Sequence, residues 1–435
     1  MFSLHETTKR MICRAAFVVL CLGPTVAVLG AAALVRHPSF TRGHERAISA
    51  QLGLAAHISR ASTPRPGVTL YEGFELADPE TLQPLARLPF VEVETNDAAI
   101  IVRLPHPGVL NGARLDRLWR LARQSLALQR PEITLRLAAQ NLTIHLAAGD
   151  QSVTDVNAEV TSREAESRLS ATFRHASSDP ATSHAAVLTL LCPRQSPHAA
   201  SAIEFATGSD FLPCSMAAGL WPSTASLGGA SEFHGSISGF IDDNSWQMRA
   251  TGELKRIDLG LLVSSQFPHQ LSGQGQLTLD HLSMENGRLA SAAGVISAGP
   301  GRVSPTLVTA AQQHLRFGPG DDLPEQQASD LGYTKLKAAF AINSQGLMIR
   351  GELPGHAGVV LLGERQAELL REPTVLVQPA VNLVRALVPQ SEVHVPATRE
   401  TSALVNALPV PSIVPAASGN ETSEARSLRV GNKRR

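Results

Sequence analysis

Apolar and polar residues alternate in one short segment after another along most of this chain. Between residues 131 and 191 the alternation recurs in five successive segments, separated by turn residues such as Gly149 and Asp150. A period of two places successive side chains on opposite faces of a strand, so each segment has one apolar face. The pattern predicts an antiparallel meander of half-buried strands.

The same alternation precedes and follows that stretch. Residues 54–104, 233–296 and 336–353 read as further strands and hairpins. One of the predicted turns is Asn286-Gly287, a pair that adopts the positive φ angles of tight hairpins. Aromatic residues make up only 4% of the chain, so we expect a core of Leu, Val, Ile and Ala. The predicted fold class is mainly β with a few α-helices.

Three helices interrupt the strands. The first covers residues 40–52 and ends at Gly53, and the third begins at Ser304-Pro305, with Ser304 as its N-cap. The second covers residues 111–128, with Asn111 as its cap. Its apolar positions follow helical spacing and are Leu115, Leu118, Trp119, Ala122 and Leu126.

The remaining circumference of the helix over 111–128 is basic, with Arg114, Arg117, Arg120 and Arg123. Such a face can bind phospholipid head groups, or it can be the ordinary solvated surface of a helix that covers a sheet. The solvated surface is the favoured interpretation.

Residues Ala15–Val35 form an uncharged apolar run near the N-terminus. About 20 apolar residues are enough to span a bilayer core of about 30 Å. We therefore predict a single transmembrane helix that acts as an uncleaved signal anchor, preceded by a basic lead at residues 1–14. A long trailing domain is translocated largely regardless of charge, so the N-terminus is expected in the cytoplasm and the rest of the chain outside it.

The alternative for this stretch is a cleaved signal peptide. Its apolar core would be Ala15–Leu22, ended by Gly23-Pro24, and Ala31-Ala32-Ala33 supplies the small residues that a signal peptidase accepts. The run continues past Pro24 and is longer than the usual core of about 7–15 residues, which favours the anchor.

The body of the chain contains two cysteines, Cys192 and Cys214. If the body is exported, an oxidising compartment makes a Cys192–Cys214 disulfide the expected state, because it would close a loop rich in turn residues. Two separate buried thiols are the alternative.

Charge and motifs exclude several classes of function. Lys plus Arg and Asp plus Glu are balanced at 38 each, so no nucleic-acid partner is indicated. Phosphate-loop, H-E-x-x-H and C-x-x-C motifs do not occur, and the acidic residues near Asp321 lack calcium-loop spacing. We expect no catalytic, cofactor-binding or metal-binding residues, no cofactor, and no enzymatic activity.

These patterns divide the chain into consecutive regions. They are a basic lead (1–14), a signal anchor (15–35), an N-terminal β-rich region (40–191), a cysteine-bounded loop region (192–227), a C-terminal β-rich region (228–392) and a Pro-, Ser- and Thr-rich tail expected to be disordered (393–435).

Several stretches resemble the AsmA-like family of bacterial envelope proteins, which includes TamB-type members. Residues 62–94 read STPRPGVTLYEGFELADPETLQPLARLPFVEVE, after a span, a short helix and an L-G-L strand. The C-terminal half adds FHGSISGF, LTLDHLSMENGRLASAAGVIS and FAINSQGLMIRGEL, which are similar to strand pairs of that family. The resemblance covers most of residues 15–390.

The resemblance implies a single-pass bacterial inner-membrane protein with its bulk in the periplasm. It implies an elongated, curved antiparallel β-sheet whose apolar groove carries phospholipid acyl chains between membranes or serves outer-membrane assembly, with membrane lipid and envelope assembly proteins as partners. The candidate groove-lining residues are Ile133, Leu135, Leu137, Leu142, Ile144 and Leu146.

The rival interpretation is a membrane-anchored structural or binding β protein with a closed core and no lipid cargo. The two differ in whether Leu135, Leu137, Ile144 and Leu146 line a cavity or pack against one another.

Overall fold

The computed structural model describes residues 11, 14–26, 37–96, 98–128, 134–179, 183–194, 200–242, 245–320, 330–388 and 405–409. Within these residues, 21 β-strands belong to one large curved sheet. The prediction of a mainly β chain with a few helices is confirmed.

The sheet begins after α1 (Pro38–Leu52), the first predicted helix. Gly53 ends α1 with a φ of 66°, a left-handed conformation that glycine adopts without a Cβ clash. Glu45 of α1 accepts a hydrogen bond from the backbone N–H of Ile58, at 2.9 Å, and so ties the helix to the first strand. The first strands form an antiparallel unit of β1 (Ala55–Arg65), β2 (Val68–Ala77) and β3 (Pro84–Thr95).

The chain then crosses the sheet through α2 (Leu115–Leu128). Both β4 (Ala99–Leu104) and β5 (Gly108–Asn111) pair with β3, and Asn111 caps the turn that leads into α2, as predicted. After the helix, β6 (Thr134–His145) runs parallel to β4 and β5. The prediction of a wholly antiparallel sheet is therefore wrong here. The helical crossover through α2 makes β6 run in the same direction as β4 and β5, so the sheet is mixed.

From β6 onward the strands follow one another as a meander. They are β7 (Gln151–Ser162), β8 (Glu166–His175), β9 (Ala186–Pro193), β10 (Ser201–Ala206), β11 (Leu212–Pro213), β12 (Glu232–Ile241), β13 (Trp246–Asp258), β14 (Gln274–Glu285) and β15 (Arg288–Ala298). Neighbouring strands are antiparallel, with β10 paired directly to β12 and the short β11 beside β12. Asn286 and Gly287 form the predicted hairpin turn, with φ angles of 52° and 81°.

The region 192–227 is not simply a loop. Its strand β10 pairs with β9 on one side and β12 on the other, so the sheet continues through it without a break. The alternation in Ser201–Ala206 is only six residues long, which explains why it was missed.

The C-terminal end is more compact. It contains β16 (Gly301–Val303), α3 (Pro305–His314), β17 (Phe317–Pro319), β18 (Leu331–Asn343), β19 (Gly346–Gly351), β20 (Val359–Gly363), β21 (Glu368–Pro373) and α4 (Val381–Leu387). Strand β18 pairs with β15, β16, β19 and β20. Ser304 caps α3 as predicted, whereas β20, β21 and α4 were not predicted individually.

The buried residues fall into separate clusters. The largest lies under α3 and α4, where Val308 and Ala386 pack with Ile342 of β18 and Leu361 of β20. A second lies in the N-terminal strands, around Tyr71 and Phe74. A third lies under α2, where Leu126 packs with Val160, Leu190 and Cys192.

The N-terminal apolar run is only partly described. Residues 14–26 are helical, with a π-helical turn at Val18–Leu22, and Phe17 and Leu20 are 59% and 72% exposed. Among the described residues, none of the helices combines the length and the apolar character that crossing a membrane requires. Residues 27–35 of the predicted span lie outside the described residues, as does the predicted tail apart from residues 405–409.

Candidate functional site: the apolar face of the central strands

One face of the sheet carries an unbroken row of apolar side chains. Directly opposed residues on neighbouring strands point to the same face, so the strand register defines the row. One row crosses ten strands and consists of Leu137, Ala158, Ala171, Leu188, Phe205, Ile237, Ala250, Leu282, Ala292 and Ile342. Nine spacings of about 4.8 Å make this row about 43 Å long.

A second apolar row runs beside the first. It consists of Leu135, Val160, Leu169, Leu190, Ile203, Gly239, Met248, Met284 and Leu289. The two rows together form an apolar face that extends from β6 to β15.

The opposite face of the same strands is polar. The row between the two apolar ones consists of Arg136, Glu159, Ser170, Thr189, Glu204, Ser238, Arg249, Ser283 and Ser291. Ser238 and Arg249 are exposed, as expected for a face in contact with water. The sheet thus has an apolar side and a polar side in its central part, and the polar side is solvated except at the buried Thr189.

Helices cover the apolar face at its two ends. At the N-terminal end, Leu126 and Trp119 of α2 pack on Leu135, Val160 and Leu190. At the C-terminal end, the cluster under α3 and α4 includes Ala292 and Ile342.

Between these covers the apolar face is less protected. Leu188, Phe205, Ile237, Met248 and Ala250 are half-buried, and none of them belongs to a buried cluster of the described residues. We call these five residues the central apolar face. The ring of Phe205 stacks on that of Phe173 from β8, with ring centroids 6.5 Å apart. Aliphatic and aromatic side chains alone line this part of the sheet, so it can bind apolar groups without fixing a polar head.

The segment 213–227 contacts both the N-terminal cluster around Tyr71 and the cluster under α3 and α4. Met216 packs against the N-terminal cluster, while Leu227 packs against the C-terminal one. In the middle, a Cβ on Gly219 would lie 1.9 Å from the carbonyl oxygen of Gly112, so this contact requires glycine. We refer to this segment as the bridging segment; it leads into β12 beside the central apolar face.

The predicted groove residues lie mainly in packed core. Leu142 and Ile144 are buried, Leu142 within the N-terminal cluster, and Leu135 packs against the cluster under α2. Leu137 and Leu146 are half-buried, and Ile133 lies outside the described residues. The structure therefore moves the candidate site from β6 to strands β9–β13.

The reason for this difference is what covers β6 at each end. Leu135 lies under α2, whereas Leu142 packs with side chains of β1–β4 in the N-terminal cluster. The alternation of β6 predicts an apolar face but not what packs on it. Leu188, Ile237, Met248 and Ala250 lie in segments whose alternation predicts strands, so the sequence carried the signal for them, but they were not assigned to the site. Phe205 lies in the six-residue strand β10, which was not predicted.

The predicted disulfide is not formed. Cys192 and Cys214 are both buried free thiols. Cys192 lies in β9 and hydrogen-bonds Ser201, whereas Cys214 follows β11 and hydrogen-bonds Ser231; burial raises the pKa of both thiols. The two residues are held in different packing environments by β10 and β12, which the loop interpretation did not include.

Polar side chains in the described part of the chain form pairs that hold elements together. Arg117 of α2 contacts Asp78, with Nε 3.1 Å from Oδ2, and also Glu80, with Nη2 3.0 Å from Oε2. One arginine of the basic face of α2 is thereby engaged within the protein. No group of three or more His, Cys, Asp or Glu side chains within the described ranges is arranged to hold a metal ion.

A cleft of about 280 Å³ lies at the start of β14. It is lined by Gly228, Gly229, Ala230, Arg256, Asp258, Gly273 and Gln274. Arg256 donates from Nε to the carbonyl oxygen of Ala230 at 3.1 Å, and Asp258 accepts from the backbone of Gly260 and Leu261. Both charged side chains of the cleft already have hydrogen-bond partners within the chain, so we assign no ligand to it.

Comparisons of the chain with protein-family models, with curated proteins and with solved structures each gave no match.

Proposed function

We propose that the chain is a membrane-anchored envelope protein that holds phospholipid acyl chains on the central apolar face and takes part in lipid transfer between membranes or in outer-membrane assembly. The observation that carries the proposal is the apolar row from Leu137 to Ile342, whose middle members Leu188, Phe205 and Ile237 are half-buried and outside the packed clusters.

The dimensions support acyl chains as the cargo. The row is about 43 Å long at about 4.8 Å per strand. One leaflet of a bilayer is about 15 Å of hydrocarbon, half of the core thickness of about 30 Å, so a lipid tail fits within it. Transfer along the sheet requires burial without a fixed polar anchor, which agrees with the purely apolar composition of the face.

The proposed location is the bacterial inner membrane, with a single N-terminal span at residues 15–35, a cytoplasmic N-terminus and a periplasmic body. The exposed apolar side chains at Phe17, Val18, Val19 and Leu20 support this assignment, because large apolar side chains are costly in water and favourable in lipid. The resemblance to AsmA-like envelope proteins is part of the same proposal.

Photocrosslinking tests the proposed cargo. A photoreactive amino acid placed at Ile237 of the full chain, expressed in a Gram-negative host, should form an adduct with phospholipid that mass spectrometry detects. The matched control is the same amino acid at Ser238, the next residue of β12, which is exposed on the polar face. Equal lipid adducts at both positions, or none at Ile237, would reject the proposal.

A closed-core binding or structural protein remains the second candidate. It is favoured by Leu142 and Ile144, which are buried where an open groove was expected. It predicts that a charge at Ile237 lowers stability in the same way with or without lipid. The lipid function predicts instead that Ile237→Asp abolishes the lipid adduct formed from a photoreactive residue at Phe205, while Ser238→Asp leaves it unchanged.

A further inference from the structure

The loop between β21 and α4, together with the first residue of α4, presents large apolar side chains to solvent. Val375, Leu376, Val377 and Val381 are 49%, 63%, 52% and 43% exposed. We call these four residues the apolar tip. Single exposed apolar residues need no explanation, but a contiguous group at one end of a fold indicates a contact site.

The base of the apolar tip is firmly held. Gln378 is buried, its Nε2 donates to the carbonyl oxygen of Leu315 at 3.0 Å, and its backbone exchanges two hydrogen bonds with Leu347 at 2.7 and 3.0 Å. Gly346 allows this approach, since a Cβ there would lie 2.4 Å from the carbonyl oxygen of Gln378. The tip is therefore presented in a fixed position next to the largest buried cluster.

The two described segments that meet at the base of the tip, 373–388 and 304–320, carry arginines and no carboxylates. Residues 373–388 contain one ionisable side chain, Arg385, which is exposed one helical turn after Val381. Residues 304–320 contain Arg316, whose carbonyl oxygen accepts from the backbone N–H of Thr374 at 3.2 Å. Neither segment contains a carboxylate, whereas Arg371 and Glu372 precede the tip as one charge of each sign.

We propose that the apolar tip inserts into the interface of a lipid bilayer with anionic head groups. Apolar side chains flanked by arginines match such a surface, because the side chains enter the acyl boundary while the guanidinium groups remain among the head groups. The inference rests on the proposed function. In strand order, the tip lies at the end of the sheet opposite β1 and the N-terminal run, so it provides a second membrane contact.

Tryptophan fluorescence tests this contact. The full chain carrying Leu376→Trp is reconstituted in phosphatidylcholine vesicles. It is then mixed with a second population that contains phosphatidylcholine with about 30% phosphatidylglycerol and acyl-brominated lipid. We expect the emission of the new tryptophan to shift to shorter wavelength and to be quenched by the brominated lipid, at least two-fold more than in the unmodified chain with its three native tryptophans.

The matched control is Phe240→Trp. Phe240 is also a large exposed apolar residue, 58% exposed, but it lies on the polar face of β12. Equal quenching in the two variants would overturn the inference, because the tip would then have no preference for lipid. No quenching of Leu376→Trp would also overturn it and would leave a protein partner as the occupant of the tip. Shielding of Leu376→Trp from aqueous quenchers before the second vesicles are added would overturn it as well, since the chain itself would then cover the tip.

A charge reversal at Arg385 tests the electrostatic contribution to binding of the anionic vesicles. Arg385→Glu should weaken capture of the anionic vesicles about five-fold. The same change should have little effect on vesicles of phosphatidylcholine alone. If the tryptophan at Leu376 is not quenched while the lipid adduct at Ile237 still forms, the proposed membrane contact is rejected and the proposed cargo is retained. If the tryptophan is quenched but no adduct forms at Ile237, the cargo is rejected and the membrane contact is retained.

Discussion

His269 donates its Nε2 hydrogen to the carbonyl oxygen of Ala386, 3.0 Å away and 117 residues later in the chain. Since that carbonyl can only accept, the neutral ring has its acceptor at Nδ1, which takes the hydroxyl hydrogen of Thr306 at 3.1 Å. Ser304 in turn lies 2.9 Å from Thr306 and accepts the N–H groups of Gln270 and Leu307. The ring therefore ties α4 to the start of α3, and only its neutral form satisfies every partner.

The His269 network predicts acid sensitivity of the C-terminal end. Burial lowers the pKa of His269 below its ordinary value of 6.5, so the unfolded chain binds this proton more readily than the folded one. The stabilisation is present above about pH 6.5 and is lost as the pH falls below that value. Denaturant unfolding measured between pH 8 and pH 5 should show that the free energy of unfolding falls with the pH. In His269→Gln, this free energy should depend less steeply on pH.

The same residue gives a simple stability test. His269→Ala leaves the carbonyl of Ala386 and the hydroxyl of Thr306 without their partner and should cost about 1–3 kcal/mol of unfolding free energy. The control is His281→Ala at an exposed position of β14, which should change stability by less than about 0.5 kcal/mol. Equal effects of the two substitutions would contradict the role assigned to His269.

Asp78 anchors α2 on the sheet. Its pKa is lowered by the hydrogen bond from the backbone N–H of Glu80 and by Arg117. The contribution of the ionised carboxylate to folding stability is therefore present above the ordinary pKa of 3.8 and is lost as the pH falls below it. Asp78→Asn should lower the denaturation midpoint at neutral pH. Asp116→Asn, which removes an exposed partner of Arg120 within α2, should leave the midpoint nearly unchanged.

Gly252 of β13 and Gly235 of β12 are directly opposite each other and have φ angles of 146° and 155°. A Cβ at Gly252 would lie 2.2 Å from the carbonyl oxygen of His234, and residues with a side chain rarely adopt this φ. Gly252→Ala should therefore destabilise the chain by about 1–3 kcal/mol. Gly229→Ala, at a position with no atom within 4 Å, serves as the control in the same thermal unfolding experiment.

The two buried thiols should behave independently of redox conditions. Because burial raises the pKa of both Cys192 and Cys214, neither is expected to react with a thiol reagent until the chain unfolds. Adding a reductant should leave the melting temperature unchanged. A faster-migrating species on a non-reducing gel that disappears with reductant would show that the disulfide forms after all.

Local patterns identified most elements of this fold. The caps at Asn111 and Ser304, the stop at Gly53 and the hairpin at Asn286-Gly287 each rest on neighbouring residues, and each was found as predicted. The parallel junction at β6 and the cover of α2 over Leu135 depend on which surfaces meet in space, and alternation along one strand carries no information about that.

The candidate site shows the same limit. Leu142 and Leu188 have similar sequence surroundings, yet Leu142 lies in a packed cluster and Leu188 does not. Sequence periodicity identified the apolar face as a whole, but the position of α2, α3 and the bridging segment determines which part of it is accessible. The prediction of a Cys192–Cys214 disulfide did not include the short strand β10, which lies between the two free thiols in the chain.

Strand order follows chain order through most of the sheet, and this has a consequence for synthesis. From β6 to β15 nearly every strand pairs with the one made just before it, so pairing can advance as the chain is synthesised, one hairpin at a time. Later steps join more distant parts of the chain: β18 must pair with β15, β21 must return to β17, and α4 must reach His269. An edge strand is thus exposed at each stage and is covered by the next hairpin, which makes the rate of chain synthesis a determinant of misassembly.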